Sequence, residues 1–404
     1  MRSSLKNMRR SERILIAVDV LLQSKSSFMS VFLMAFMMKA SLSDSPQDFV
    51  VYCIVRYAIM GVLSVLLIPF FKKHPLVAWR SSMVFSILEI LTIILFNSWQ
   101  GFIYVTAIFS ALESTLYWRP KIIFDTQEVS DENRVSFKST GQILLEIAKI
   151  IMPIILGFTI DASGYQNAAI FILVISIAQL ILSLFFHPRR QTVKKHDIKS
   201  SLKQLFAHES LQRLLWLQLL RGLVTASAAY IVVATISLNR AAVDNTQRGL
   251  ITSLASIVAI IVLLIYRKLA KSPRKQKLVL VSFTPAVILM PLITFCFPSD
   301  PIISFAYYVF TTAIVASLLD STVGVIRIQD ILSRHVKNDD DRVAIEAFGE
   351  MALSIGRVIS LGILLLVVCF ADFRQELILA FITAFLILPL VSISISKKAL
   401  EADR

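Results

Sequence analysis

Long apolar runs recur along this chain from end to end, each interrupted by short polar stretches. A bilayer-crossing helix needs about 20 mostly apolar residues, because in lipid the backbone must satisfy its own amides and carbonyls. Hydropathy places twelve such segments, at roughly 14–40, 49–71, 76–96, 101–120, 139–160, 167–187, 212–238, 248–266, 278–297, 301–322, 344–370 and 377–396. This pattern leaves one fold class, an all-α membrane protein. Composition agrees. Hydrophobic residues make up 56% of the chain and charged residues 17%, against about 45–50% and 25% in soluble domains. Soluble, collagenous, disordered and coiled-coil classes are thereby excluded.

The net charge is +14, from 41 Lys+Arg against 27 Asp+Glu. With the N-terminus inside, most cations fall on cytoplasmic segments, including the N-terminal MRSSLKNMRR, the 188–211 loop and the 267–277 loop. Only Arg240, Arg248 and Arg374 fall outside, and Lys25, Lys39, Arg56, Lys149, Arg221 and Arg357 lie within spans. The positive-inside bias therefore puts both termini in the cytoplasm. The surplus is topological and calls for no nucleic-acid partner. The basic N-terminus precedes an apolar run, as a signal peptide does. That run holds Asp19, Gln23 and Lys25 and shows no small-residue cleavage site, so it reads as a retained first helix.

Cys53, Cys296 and Cys369 lie far apart, and the five histidines sit in or beside polar loops. No disulfide framework, metal site or cofactor is expected from such spacing. The basic loop HPRRQTVKKHDIKSSLKQLFAHES divides the chain into 1–187, a linker at 188–211, and 212–404. Leu202, Leu205, Phe206, Leu211, Leu214 and Leu215 recur at helical spacing there. They predict a short amphipathic helix at the cytoplasmic interface.

Shifting the chain against itself by about 208 residues aligns the two halves. Arg119 meets Arg327, DENRV (131–135) meets DDDRV (339–343), and Gly141 meets Gly349. Equivalent spans share one orientation, so this is a parallel pseudo-repeat of two six-helix bundles.

With six spans on each side of a basic central loop, and with DENRVSFKSTGQ and DDDRVAIEAFGE entering spans five and eleven, the chain resembles a major facilitator superfamily transporter. The approach to span seven, SLKQLFAHESLQRLL, resembles the multidrug and macrolide exporter-like branch. The short motifs are degenerate. IPFFKKHPLVAWR replaces the usual Gly-x-x-x-Asp-Arg-x-Gly loop, and MPIILG keeps only Pro153 and Gly157 of a Gly-Pro-x-x-Gly-Gly ending. The resemblance implies a substrate site near the midplane between the halves. It implies that spans 1, 4, 7 and 10 line the cavity and 2, 5, 8 and 11 flank it.

An ionisable residue inside a span costs about 2.5–3.5 kcal/mol on insertion scales, so it is paired or lines a wet cavity. Asp19, Gln23, Ser26, Ser27 and Ser30 share one face of span one, either a cavity wall or a polar helix–helix seam. Lys25 lies off that stripe. Span eleven carries Glu346, Glu350 and Arg357 on one face, and span five carries Lys138, Gln142, Glu146 and Lys149. Lys149, Arg221 and Arg357 suit an anionic substrate; the alternative is local ion pairing, such as Lys149 with Glu146 and Arg357 with Glu350. Glu113 and Asp320 put an acid at similar depth in each half and are the preferred proton-coupling candidates, with Asp19 and Glu89 behind them. Glu89 is expected in a structural salt bridge to Arg56. Arg119, Arg134, Arg327 and Arg342 border the cytoplasmic loops as gating or solvated charges.

These features predict a secondary transporter working by alternating access, with proton-coupled efflux of a small polar, charged or amphiphilic compound. Proton-coupled nutrient import is the near alternative. A lipid flippase or scramblase, or a membrane-embedded enzyme, is the more distant one. No Walker-type phosphate loop occurs and no nucleophile sits beside a base, so an enzyme is not expected. The expected partners are the substrate, protons and the lipid bilayer, for a monomer in the plasma membrane.

Overall fold

The structure, a computed structural model, describes residues 8–40, 47–99, 101–129, 131–188, 205–225, 244–269, 302–303, 306, 309–310 and 339–370. Everything regular among the described residues is helical. The helices are α1 (Arg10–Val31), α2 (Leu33–Ala40), α3 (Gln47–Leu66), α4 (Ile68–Lys73), α5 (Pro75–Leu95), α6 (Phe102–Gln127), α7 (Asp131–Leu184), α8 (Glu209–Thr225), α9 (Asn245–Leu269) and α10 (Asp339–Phe370). Six of them are long and apolar enough to cross a membrane. The protein is a multi-span helical membrane bundle. The ninth and twelfth expected spans lie outside the described residues, as does nearly all of the tenth.

Several boundaries differ from the hydropathy reading. The first expected span is two helices with a turn at Phe32, and the second breaks at Leu67, one residue before Ile68-Pro69 opens α4. Proline fits a first helical turn, where its missing N–H has no intrahelical role. Spans five and six form the arms of α7, which turns at Gly164 with φ of 86°. Only glycine adopts that region without strain, and no atom lies within 4 Å of where a Cβ would stand. The fourth span was expected to end at residue 120. Instead α6 runs through Pro120 to Gln127, which keeps Lys121 and Asp125 on the helix.

The chain separates into two compact units. The first lies within Met1–Ser45, Leu66–Lys195 and Asp244–Ser253, the second within Pro46–Val65, His196–Val243 and Leu254–Arg404.

In the first unit α5 packs along α6, and α7 packs along α1 and α5. Trp79 anchors this core, with the rings of Phe124 and Phe186 at 5.5 and 5.2 Å and that of Tyr117 at 6.2 Å. Arg80 donates to the carbonyls of Ser183, Leu184 and Phe186, satisfying the end of α7 as a cation should at a helix C-terminus. The start of α9 lies close against the first arm of α7. A Cβ on Gly249 would stand 2.2 Å from the Pro153 carbonyl oxygen, and one on Gly157 2.4 Å from that of Asn245. Ser253 donates to the Ile150 carbonyl at 2.6 Å across the same crossing.

In the second unit α8 packs along α10. Again glycines set the approach: a Cβ on Gly222 would meet the Leu353 oxygen at 2.1 Å, and one on Gly356 the Leu219 oxygen at 2.2 Å. Small residues at such crossings let backbones approach where lipid offers no hydrophobic drive. Leu205, Leu211 and Leu214 of the approach to span seven are buried together with Ile345 and Phe348. Phe206 is exposed. Gly141 faces Ile16 of α1, and Gly349 faces Gln218 of α8.

Candidate functional site

Several hydroxyls inside the apolar helices are satisfied by the preceding turn of their own helix. Ser64 donates to the Met60 carbonyl and Thr106 to that of Phe102, each at 2.7 Å. The charged side chains have no such option, and they cluster. α6 is the helix whose polar content keeps it out of the six membrane-crossing candidates. Its Glu113, Tyr117, Lys121 and Asp125 recur every four residues, so they stand on one face. That face is turned into the first unit.

At one level of this face, Lys25 of α1 lies between two carboxylates. Its ammonium donates to Glu89 of α5 and stands 3.1 Å from Glu113 of α6. The side chains of Lys25 and Glu89 are 2% and 1% exposed, and that of Glu113 is 8% exposed. The sequence reading set Arg56 against Glu89; the cation found there is Lys25. The residue set aside as lying off the span-one stripe is therefore the one that joins three helices.

A second cluster lies along the same face. Lys121 is 3.0 Å from Asp19 and 2.5 Å from Asp125, and Tyr117 donates its hydroxyl to Asp19. The Lys121 ammonium also stands 5.6 Å from the Phe137 ring centroid. Asp19 thus looks inward to α6. Gln23 and Ser26 are half-buried and Ser30 is exposed on the same turn sequence.

Two other expected acids pair with cations of their own helices. On α7, Glu146 accepts from Gln142 at 2.6 Å and from Lys149 at 3.0 Å. In the second unit, Arg357 is 3.5 Å from Glu350 and 4.6 Å from the Tyr57 ring centroid, while Arg56 stands 5.6 Å from that ring. Arg221 is half-buried on α8, and Arg119 is buried on α6. Asp320 and Arg327 lie outside the described residues, as do the side chains of Arg134 and Arg342. No group of three or more His, Cys, Asp or Glu able to hold a metal ion occurs among the described residues.

Sequence reasoning missed one further arrangement. Asp161, between spans five and six, closes the N-terminus of α9. One carboxylate oxygen accepts from the Asn245 backbone and side-chain amides at 3.1 and 2.8 Å; the other accepts from the Thr246 amide and hydroxyl at 2.7 and 2.6 Å. Tyr165 donates to the Asn245 side-chain oxygen at 2.9 Å. Partial burial pushes the Asp161 carboxyl upward, but the four hydrogen bonds to its charged form outweigh this and hold it below its ordinary value. Its only sequence signal is an acid beside Ala-Ser-Gly, which marks a turn but names no partner.

Neither a family model nor a curated protein matches the sequence. Solved structures do match by fold. The crystal structure of nucleoside transporter NupG superposes with a TM-score of 0.67 at 11% identity, covering 96% of this chain and 100% of its own. A bacterial homologue of iron transporter ferroportin, in an outward-facing state with soaked iron, gives 0.65 at 14% identity, covering 97% and 99%. At these identities the likeness is one of fold.

Proposed function

We propose that this protein is a secondary transporter that moves a small molecule by alternating access, coupled to protons. The fold likeness to two transporters over nearly the whole chain supports the transport reading. The observation that carries the coupling is the buried Lys25–Glu89–Glu113 cluster. One ammonium and two carboxylates are together neutral when one carboxyl holds a proton. A group in apolar surroundings strongly favours that neutral arrangement, so the cluster can load and release a proton as access changes. Glu113 is the coupling acid of the first half, and Asp320 its counterpart in the second.

The substrate is polar, charged or amphiphilic, and its route is efflux across the plasma membrane. Arg357, Lys149 and Arg221 would attract an anionic or zwitterionic solute. Asp19, Gln23, Glu146 and Glu350 complete the polar walls, while Arg119, Arg134, Arg327 and Arg342 act in cytoplasmic gating. The chain is a monomer of twelve spans in two six-helix bundles, with both termini in the cytoplasm.

The test is transport into proteoliposomes under an imposed pH gradient, with a panel of charged and amphiphilic solutes. The expected result is gradient-driven flux that Glu113→Gln uncouples, leaving downhill exchange. Flux indifferent to the gradient in the unaltered protein would remove the coupling. The gradient direction that drives accumulation separates efflux from nutrient import.

A further inference from the structure

The two lysine-centred clusters of the first unit lie on the same pair of helices. Lys25 and Asp19 are six residues apart on α1, about 9 Å along the axis; Glu113 and Lys121 are eight apart on α6, about 12 Å. Tyr117 lies between them, one helical turn from Glu113 and one from Lys121. Its hydroxyl is already committed to Asp19. Its ring is buried in the aromatic core with Trp79 at 6.2 Å, so the hydroxyl is presented from a fixed position. Each cluster has the same composition, one lysine and two acids. Each is neutral when it carries one proton.

Among the described residues, the charged groups whose contacts define this face come from three helices, and Arg119 and Glu128 toward the end of α6 are buried as well. α1 contributes Asp19 and Lys25, α5 contributes Glu89, and α6 contributes Glu113, Lys121 and Asp125. α7 contributes the Phe137 ring. The nearby Glu12 accepts from the Arg9 backbone amide at the start of α1. The Asp19 and Asp125 end is the more polar one: the Asp125 side chain is 31% exposed and that of Asp19 16%, against 1% for Glu89. By the distribution of cations it faces the cytoplasm.

We infer that Tyr117 relays protons between the Lys25–Glu89–Glu113 cluster and the Asp19–Lys121–Asp125 cluster, so that the first unit holds its own proton path to the cytoplasmic end. In the step, the Tyr117 O–H bond breaks as an O–H bond forms on Asp19. The phenol oxygen takes the proton that leaves the Glu113 carboxyl. Tyr117 is neutral before and after, Glu113 becomes a carboxylate, and Asp19 becomes a carboxylic acid. No electron changes hands. This rests on the proton-coupled reading above.

The test needs no substrate. Inside-out vesicles bearing the full-length protein are adsorbed on a solid-supported membrane and given a pH jump on the cytoplasmic face. The unaltered protein should give a transient current that Glu113→Gln abolishes. Tyr117→Phe keeps the ring and removes only the relay hydroxyl; it should slow the transient at least about tenfold while leaving its integrated charge intact. Asp19→Asn should slow it likewise, and thermal denaturation confirms that each variant is folded. A Tyr117→Phe transient as fast as the unaltered one overturns the relay and leaves the coupling standing. A Glu113→Gln transient equal to the unaltered one overturns both.

Discussion

Asp161 holds Thr246 by its backbone amide at 2.7 Å and by its hydroxyl at 2.6 Å, across 85 residues of sequence. The contact caps α9 from another helix. An acid at a helix N-terminus satisfies amides that have no intrahelical acceptor and sits favourably in the helix dipole.

Replacing Asp161 by Ala should therefore destabilise the protein by about 0.5–2 kcal/mol, the usual cost of losing a cap. The measurement is thermal unfolding in detergent. Because the carboxyl sits below its ordinary value in the fold, its contribution is full at neutral pH and is lost as pH falls through and below the ordinary carboxylate range near 3.8. The difference between the unaltered protein and Asp161→Asn should shrink over that range. A difference that stays constant to low pH would mean the charge has no part in the cap.

Gly249→Ala should force α9 from the first arm of α7, since the new methyl would stand 2.2 Å from a backbone oxygen. Overpacking of this kind costs about 1–3 kcal/mol. Gly362→Ala is the control, having no atom within 4 Å of the added carbon. Equal melting temperatures for the two variants would contradict the close crossing.

Lys25→Met leaves Glu89 and Glu113 buried without the lysine they share. Removing one member of a buried ion pair costs about 3–5 kcal/mol. Adding Glu89→Gln to Lys25→Met should recover a substantial part of that loss, and a double-mutant cycle reads the coupling. Additive losses would show that the two side chains do not act together.

Tyr57→Leu should weaken the second unit by about 0.5–2 kcal/mol, because the Arg357 guanidinium would lose the ring face beneath it. Tyr57→Phe keeps the ring and should be close to neutral. Thermal unfolding distinguishes the two; matching losses for Leu and Phe would assign the effect to the hydroxyl instead.

Much of the architecture was written in local chemistry. Hydropathy along 76–96 anticipated α5 within a residue or so at each end, and the polar gap around Gly164 anticipated the turn in α7. The pairs Glu146–Lys149 and Glu350–Arg357 were readable from helical spacing, because their partners are three and seven residues apart. Lys25–Glu89 was not readable, since its partners are 64 residues apart on different helices. Nor was the inward role of Lys121 and Asp125, which depended on α6 continuing past Pro120.

The sequence by itself determined that this chain enters a bilayer, roughly where its helices run, and which residues carry charge within them. Each segment meets the bilayer largely on its own, so the sum of its own side chains decides whether it crosses. The tertiary structure alone decided which charges share a cluster and that α9 is capped by Asp161. Those outcomes depend on how far each helix is rotated about its axis and where it crosses its neighbours. Rotation is set by packing at points such as Gly157, Gly249, Gly222 and Gly356, where two backbones meet, and no local window of sequence contains both.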